Sequence, residues 1–279
     1  MDLKAACVIG WPVEHSRSPL IHEYWIRQFG LQAAYRREAV PPDRFAEFVA
    51  HLAERGYVGA NVTVPHKEAA LELSKPDALA QAVGAANTLW LDDGVLRATN
   101  TDVEGFVASL DAGVADWAEG LESAVVLGAG GAARAIVFGL IERGVHHIHV
   151  ANRSPERAAA LQQRFGDRVV PCGWERRNDL LTGAGLVVNT TTLGLEGQPR
   201  LAIDLAPLAA TAVVVDVVYA PLVTPLLTAA RARGLRTVDG LGMLLHQAAG
   251  AFARFFGLRP QVTQGLRTLV EADLMRQRP

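Results

Sequence analysis

The chain has 279 residues, half of them apolar and a fifth charged, with a formal net charge of −2. That length suffices for two domains with separate cores, and the composition is that of an ordinary globular protein. The near-zero charge leaves no electrostatic footprint for nucleic acid or for an anionic membrane surface.

The two cysteines, Cys7 and Cys172, are far apart and form no C-x-x-C, so neither a disulfide framework nor a zinc site is expected. The N-terminus lacks a basic stretch followed by a long apolar one. The longest uncharged apolar run, residues 205–215, is too short to span a bilayer. A cytoplasmic enzyme is the expected class.

Ala6-Cys7-Val8-Ile9-Gly10 reads as a buried first strand, turned by Gly10-Trp11-Pro12. Glu14-His15-Ser16-Arg17-Ser18-Pro19 leads into a helix, with Ser18 as N-cap and Pro19 as first residue. Leu20, Ile21, Tyr24 and Trp25 form the helix's apolar face. The hydroxyls of Ser16 and Ser18 therefore lie at a positive helix end, suited to a carboxylate. On the residues alone, Ser18 can equally act only as a cap and Ser16 only face water.

Residues 33–40 read as a second strand, and Pro41-Pro42-Asp43 starts a helix with Phe45, Phe48, Val49 and Leu52 inward and Gly56 at its end. A strand through Val58-Gly59-Ala60-Asn61-Val62-Thr63 is followed by Val64-Pro65-His66-Lys67 and a helix from about Glu68. Such alternation predicts parallel βαβ units in an open α/β sheet. Ligands of such sheets sit beyond the carboxyl ends of strands, where Asn61, Thr63 and Lys67 fall. A single lysine is also an ordinary solvated group. Asp92-Asp93-Gly94 between two apolar arms signals a hairpin. The second arm ends in Asn100-Thr101-Asp102, where Asp102 is either a functional acid or the N-cap of a helix over 103–110. A hydrophilic stretch, 111–122, leads into the second half.

There Val125-Val126-Leu127 runs into Gly128-Ala129-Gly130-Gly131-Ala132-Ala133 and a helix. The spacing fits G-x-G-x-x-A: Gly128 for the turn, Gly130 for approach of a pyrophosphate, Ala133 for close helix packing. Free N–H groups from Gly130 to Ala132 face the phosphates in that reading. A plain tight turn would carry the same glycines. The next strand, Ile148-His149-Val150-Ala151, ends in Asn152-Arg153-Ser154, with Arg157 one helical turn on. An acid at the strand end would select NAD through a ribose hydroxyl, whereas an arginine accommodates the 2′-phosphate of NADP. The two arginines could also be solvated helix-start residues.

Further strands are read at 186–191 and 212–219, and a helix opens at Thr224-Pro225 and ends at Gly234. A short last strand with a turn, 237–240, precedes a helical pattern from Met243, with Gln247 beside its apolar face. Another helix spans 263–275. His146, His147 and His149 have no nearby acid or cysteine in sequence, so no metal is expected.

Taken in order, these segments resemble the shikimate dehydrogenases along essentially the whole chain. The matching pieces are Gly10-Trp11-Pro12, Ser16-Arg17-Ser18-Pro19 with His22, Asn61-Val62-Thr63-Val64-Pro65-His66-Lys67, Gly84-Ala85-Ala86-Asn87-Thr88 and Asn100-Thr101-Asp102. They continue through Gly128-Ala129-Gly130-Gly131-Ala132, Asn152-Arg153-Ser154, Asn189-Thr190-Thr191, Asp216-Val217-Val218-Tyr219, Gly240-Leu241-Gly242-Met243-Leu244 and Gln247-Ala248. Glu23, Ala98 and Thr192 depart from the family's usual asparagine, glycine and proline, and none is assigned to chemistry.

The resemblance implies reversible, NADPH-dependent reduction of 3-dehydroshikimate to shikimate, toward aromatic amino acids. It implies an N-terminal open α/β/α substrate domain (1–104 plus 244–279) and a C-terminal Rossmann NADP-binding domain (105–243), with the active site in the cleft between them. By match, Ser16 and Ser18 hold the substrate carboxylate, and Thr63, Asn87, Tyr219 and Gln247 surround the ring. Lys67 and Asp102 are the catalytic residues at the reacting oxygen. Gly128, Ala129, Gly130, Gly131 and Ala132, with Asn152, Arg153, Ser154 and Arg157, hold NADP, and the backbones of Val217 and Gly240 lie near the nicotinamide. The expected assembly is a monomer or homodimer. Two other readings are a quinate/shikimate dehydrogenase using NAD and a non-catalytic dinucleotide sensor. The serine pair and Arg153 speak against the first, and the presence of both Lys67 and Asp102 against the second.

Overall fold

The structure, a computed structural model, describes residues 4–276. The chain begins with β1 (Lys4–Gly10), α1 (Ser18–Gln28), β2 (Ala33–Ala39), α2 (Phe45–Ala50), β3 (Tyr57–Val62), α3 (Lys67–Glu72), β4 (Lys75–Pro76), α4 (Ala78–Val83), β5 (Thr88–Asp92) and β6 (Val95–Thr99). After α5 (Asp102–Gly113) come β7 (Ser123–Leu127), α6 (Gly131–Glu142), β8 (His147–Asn152), α7 (Pro155–Phe165), β9 (Val169–Gly173), β10 (Leu186–Asn189), β11 (Val213–Asp216), α8 (Pro225–Ala232) and β12 (Arg236–Val238). It ends with α9 (Gly240–Phe256) and α10 (Gln264–Arg276). Two compact units result. Among the described residues, one holds the chain up to Glu104 with Leu244–Asp273, the other Gly105–Met243 and the residues from Leu274 on.

The first unit carries a six-stranded sheet in the order β2-β1-β3-β5-β6-β4. Its β1 is buried on both faces from Ala5 to Gly10, the pattern of a central parallel strand. One side packs Ile9, Ala60 and Leu89 with Phe45 and Leu52. Gly59 is open to no side chain: a Cβ there would meet the Leu89 carbonyl at 2.6 Å and the Phe255 ring at 2.6 Å. The sheet is mixed rather than wholly parallel, because β5 runs antiparallel to both β3 and β6. The cause is the two-residue turn at Asp93 and Gly94, whose φ values of 48° and 76° suit a tight antiparallel hairpin.

The second unit carries a wholly parallel sheet in the order β12-β11-β10-β7-β8-β9. This is the doubly wound dinucleotide-binding order, with its switch point between β7 and β10. Alternate residues of β7 serve opposite layers. Ala124 and Val126 pack with Ile136, Leu140 and Phe106, and Val125 and Leu127 with Val187, Leu181 and Leu226.

Several boundaries differ from the sequence reading. The hydrophilic stretch 111–122 is partly α5, and Trp117 within it is buried, its Nε1 donating to Asp111 Oδ1 at 2.8 Å. Helix α9 starts at Gly240 rather than Met243, because Asp239 Oδ1 accepts from Leu241 N at 3.1 Å and starts the first turn earlier. Helix α6 starts at Gly131 rather than Ala133. The helix start read at Arg153 to Arg157 becomes α7, whose extent that reading did not give, and strand β9 has no counterpart in it. α7 buries only Ala158 and Leu161, and β9 carries Pro171, so both lack a strong apolar period.

Candidate active site

In the first unit, topology gathers the candidate residues at one edge of the sheet. Ser16 and Thr63 follow the parallel strands β1 and β3, and Lys67 opens α3. Asn87 precedes β5, which runs the other way, and Asp102 follows β6, which turns back. All five positions therefore lie at the carboxyl edge of β1 and β3, where open α/β sheets take ligands.

Lys67 Nζ is 2.5 Å from Asp102 Oδ2, with side chains only 13% and 7% exposed. Asp102 Oδ1 accepts from Asn87 Nδ2 at 2.9 Å, and the same amide reaches Thr101 Oγ1 at 3.0 Å and Gln247 Oε1 at 3.3 Å. Asn87 Oδ1 accepts from the Thr101 N–H at 2.7 Å and from Thr88 Oγ1 at 3.1 Å. Gln247 is fixed in turn by Nε2 donating to the Leu244 carbonyl at 2.9 Å. A buried asparagine satisfied on both its oxygen and its nitrogen cannot flip without breaking several bonds, so the carboxylate it holds is pre-oriented. Asp102 is not an N-cap. It is the first residue of α5, and its own N–H is bonded by Asn100 Oδ1 at 3.0 Å.

Behind this cluster lie Asn61, read from the sequence only as a polar strand-end residue, and Tyr35 and His22, to which that reading gave no role. Asn61 Nδ2 donates to Thr88 Oγ1 at 3.2 Å, and Asn61 Oδ1 accepts from Tyr35 Oη at 2.7 Å. The His22 ring stacks on Tyr35 with centroids 4.0 Å apart, and burial pushes His22 down to about 3, so it is neutral. The polar doublets Asn87-Thr88 and Asn100-Thr101 at the hairpin's two ends were the available signal. Thr63 is half-buried, and its hydroxyl makes no hydrogen bond among the described residues.

The serine pair meets as read, but Ser18 does not cap α1. The N-cap position is Arg17, with no side-chain cap bond. Ser16 Oγ accepts from the Ser18 N–H at 3.3 Å and donates to Ser18 Oγ at 3.1 Å. Ser18 lies one residue inside the helix, so it is Ser16 that satisfies a donor of the first turn.

In the second unit, Gly128 has φ +106°, and a Cβ there would meet Thr190 Oγ1 at 2.6 Å, so only glycine fits. Gly130 is the N-cap of α6, without a side-chain cap, and a Cβ placed on it meets nothing within 4 Å. Backbone donors of a twelve-residue helix thus face open space across a residue with no side chain. Arg153 and Arg157 are exposed beyond β8 and enter no ion pair among the described residues. The loop between them is shaped by Asn152 Nδ2 donating to the Ser154 carbonyl at 2.9 Å. Uncapped helix donors after β7 and two exposed guanidiniums after β8 are groups whose chemistry suits a multiply charged phosphate ligand such as NADP.

At the end of β11, buried Asp216 accepts from Asn189 Nδ2 at 2.9 Å, from the Val218 N–H at 3.1 Å and from Thr224 Oγ1 at 2.6 Å. Burial raises Asp216 to about 6 against the opposing pull of those bonds. The network pins the turn that carries Val217 and Tyr219. A Cβ on Gly240 would lie 2.2 Å from the Val217 carbonyl oxygen, so the glycine lets these two backbones touch. Asn189, Asp216 and Thr224 were not among the candidates, since a strand-end asparagine or aspartate reads as an ordinary loop residue.

Family models match along the chain: a shikimate dehydrogenase substrate binding domain over residues 8–89, shikimate / quinate 5-dehydrogenase over 118–196, and a shikimate 5'-dehydrogenase C-terminal domain over 240–269. The chain is 61% identical over 272 residues to shikimate dehydrogenase (NADP(+)) of Nitrobacter winogradskyi, covering 98% of this chain and 97% of that one. Among solved structures, it is similar to shikimate 5-dehydrogenase from Thermus thermophilus in complex with NADP(H) and shikimate, with TM-score 0.85, 36% identity and 98% and 99% of the two chains covered. It is also similar to quinate dehydrogenase from Corynebacterium glutamicum in complex with NAD, with TM-score 0.88, 33% identity and 98% and 100% covered.

Proposed function

This chain belongs to the shikimate dehydrogenase family, and from that premise we propose how its residues divide the work. The enzyme catalyses the reversible, NADPH-dependent reduction of 3-dehydroshikimate to shikimate, a step toward aromatic amino acids. NADPH supplies the hydride when bound. The protein must therefore orient the substrate and handle one proton.

The observation that carries the assignment is the 2.5 Å contact of Lys67 Nζ with Asp102 Oδ2. The substrate carbonyl oxygen gains charge during reduction, and the Lys67 ammonium stabilises that charge and delivers the proton. In the reverse direction the neutral amine accepts it. Asp102 fixes the ammonium and retains lone pairs for a ring hydroxyl. Asn87, Gln247, Thr63 and Tyr219 serve the ring, and Ser16 and Ser18 the carboxylate. Gly128 to Ala132 and Asn152 to Arg157 hold NADP, with the Val217 and Gly240 backbones toward the nicotinamide. In this reading 1–104 with 244–279 is the substrate domain and 105–243 the NADP domain.

The NAD-dependent quinate reading is disfavoured by Arg153 and Arg157, whose unpaired charges suit a 2′-phosphate. Initial rates followed at the nicotinamide absorbance band, with shikimate or quinate and with NADP or NAD, separate the readings. Shikimate with NADP should be fastest, and a preference for quinate with NAD would overturn the assignment. No helix of the described residues is long and apolar enough to cross a membrane. We assign the enzyme to the cytoplasm as a monomer or homodimer, which sedimentation distinguishes.

A further inference from the structure

Two serine hydroxyls offer a carboxylate hydrogen bonds but no counter-charge. Arg37 supplies what they lack. It lies on β2, paired with Val8 of β1, and donates to the Ser16 carbonyl oxygen from Nε at 3.0 Å and from Nη2 at 2.7 Å. Two donors on one oxygen hold the guanidinium against the Ser16 backbone. Arg37 enters no ion pair among the described residues, so its charge is uncompensated by a carboxylate.

The other charges around the serines are accounted for differently. Arg17, between them, has Nε 2.7 Å from Asp273 Oδ2 on α10 and donates from Nη1 to the His15 carbonyl at 2.8 Å. Glu14 turns its carboxylate onto the Val13 N–H at 3.0 Å. Glu38, next to Arg37 on β2, accepts from the Tyr57 hydroxyl. Glu14 and Glu38 are held by neutral donors and enter no ion pair among the described residues, and the cation that touches Ser16 itself is Arg37.

We propose that Arg37 supplies the counter-charge for the substrate carboxylate. From its place on the Ser16 carbonyl it gives the neutral serine pair its selectivity for an anion. The inference rests on the assignment of Ser16 and Ser18 to the carboxylate. A unit charge held on the Ser16 carbonyl, at an exposed position, changes affinity for an anion at the serine hydroxyls by about five-fold and is weakened by salt.

The test compares shikimate with its methyl ester, which is neutral at the same position, under saturating NADP. Arg37→Gln should raise KM for shikimate about five-fold while leaving kcat and the ester KM unchanged. Arg37→Lys keeps the charge and should recover most of the loss. The shikimate KM of the unaltered enzyme should rise more steeply with salt than that of Arg37→Gln. NADP binding, followed by fluorescence, verifies that each variant is folded. An equal KM increase for acid and ester would reduce Arg37 to a structural role, and no change for either would remove it from the site. Ser16→Ala separates the two levels. If it discriminates acid from ester and Arg37→Gln does not, the inference alone fails. If Ser16→Ala treats both alike, the carboxylate assignment itself fails.

Discussion

Lys67 and Asp102 form an ion pair at 2.5 Å in which each side chain is almost wholly buried, and the second oxygen of the carboxylate is held by Asn87 at 2.9 Å. The ammonium is thus aimed by a carboxylate that is itself aimed. Proton transfer by a positioned group contributes about 10²–10⁴-fold in rate. Lys67→Ala should lower kcat by that order while NADPH binding holds, and it should also lower Tm, because the buried Asp102 carboxylate loses its cation. Lys67→Arg should not restore kcat, because a guanidinium keeps its proton at neutral pH. Steady-state kinetics with a separate NADPH titration decide the matter. A loss confined to KM would make Lys67 a binding residue only.

Asn87 is the hub of the same cluster. Its removal leaves the Thr101 N–H, Asp102 Oδ1 and Gln247 Oε1 without their partner. A buried group left unsatisfied costs about 1–3 kcal/mol. Asn87→Ala should therefore lower Tm markedly and slow turnover as well. Thr101→Val loses only the hydroxyl that Asn87 donates to and keeps the backbone bond, so about 1 kcal/mol is expected. Denaturant melts of the two variants should rank in that order, and equal melting would show that Asn87 is not the hub.

Cofactor choice is expected to depend on Arg153. A charge-assisted hydrogen bond is worth about 1.5–3 kcal/mol, so Arg153→Ala should weaken NADP roughly ten- to a hundred-fold and leave NAD nearly unchanged. Fluorescence titration with both dinucleotides measures the contrast. Equal losses would mean that the substitution disturbs the loop rather than a phosphate contact.

What was legible in the sequence follows what sterics and periodicity encode. Gly128 at φ +106° against Thr190 is a requirement on the residue type itself, so the glycine turn could be read directly. The carboxyl-edge positions of Thr63 and Lys67 followed from strand–helix alternation. The linkage of Lys67 to Asn87 and Gln247 did not, because it is made by the antiparallel β5 and by a helix that returns from far along the chain. Ser18 shows the limit at a helix start. A serine before a proline has cap chemistry whether it lies at the cap or one residue inside, and here Ser16 meets the free donor. For that reason Ser18→Ala should not carry the roughly 1 kcal/mol penalty of a lost cap.

Asp216 gives the fold a pH dependence of defined sign. Burial raises this carboxyl from 3.8 to about 6, so the folded chain holds the proton more tightly than the unfolded chain does. The stability from that proton is fully present below about pH 4 and is lost as the pH rises through about 6. A shift of about two units corresponds to roughly 2–3 kcal/mol. Asp216→Asn keeps an oxygen for Asn189 Nδ2 and the Val218 N–H, and it removes the buried charge present at neutral pH. Its amide then faces Thr224 Oγ1, which already accepts from the Leu227 N–H at 3.3 Å, so the hydroxyl must reorient. The two effects oppose each other at pH 7.5, where the variant should unfold at a urea concentration close to that of the unaltered protein. Towards pH 4 the unaltered protein keeps its proton-linked stabilisation and the variant has none. The difference in unfolding free energy should therefore move in favour of Asp216 by roughly 2–3 kcal/mol between pH 7.5 and 4. Urea titrations at four or five pH values across that window measure it. A difference that stays constant would show that Asp216 titrates alike in the folded and unfolded chain.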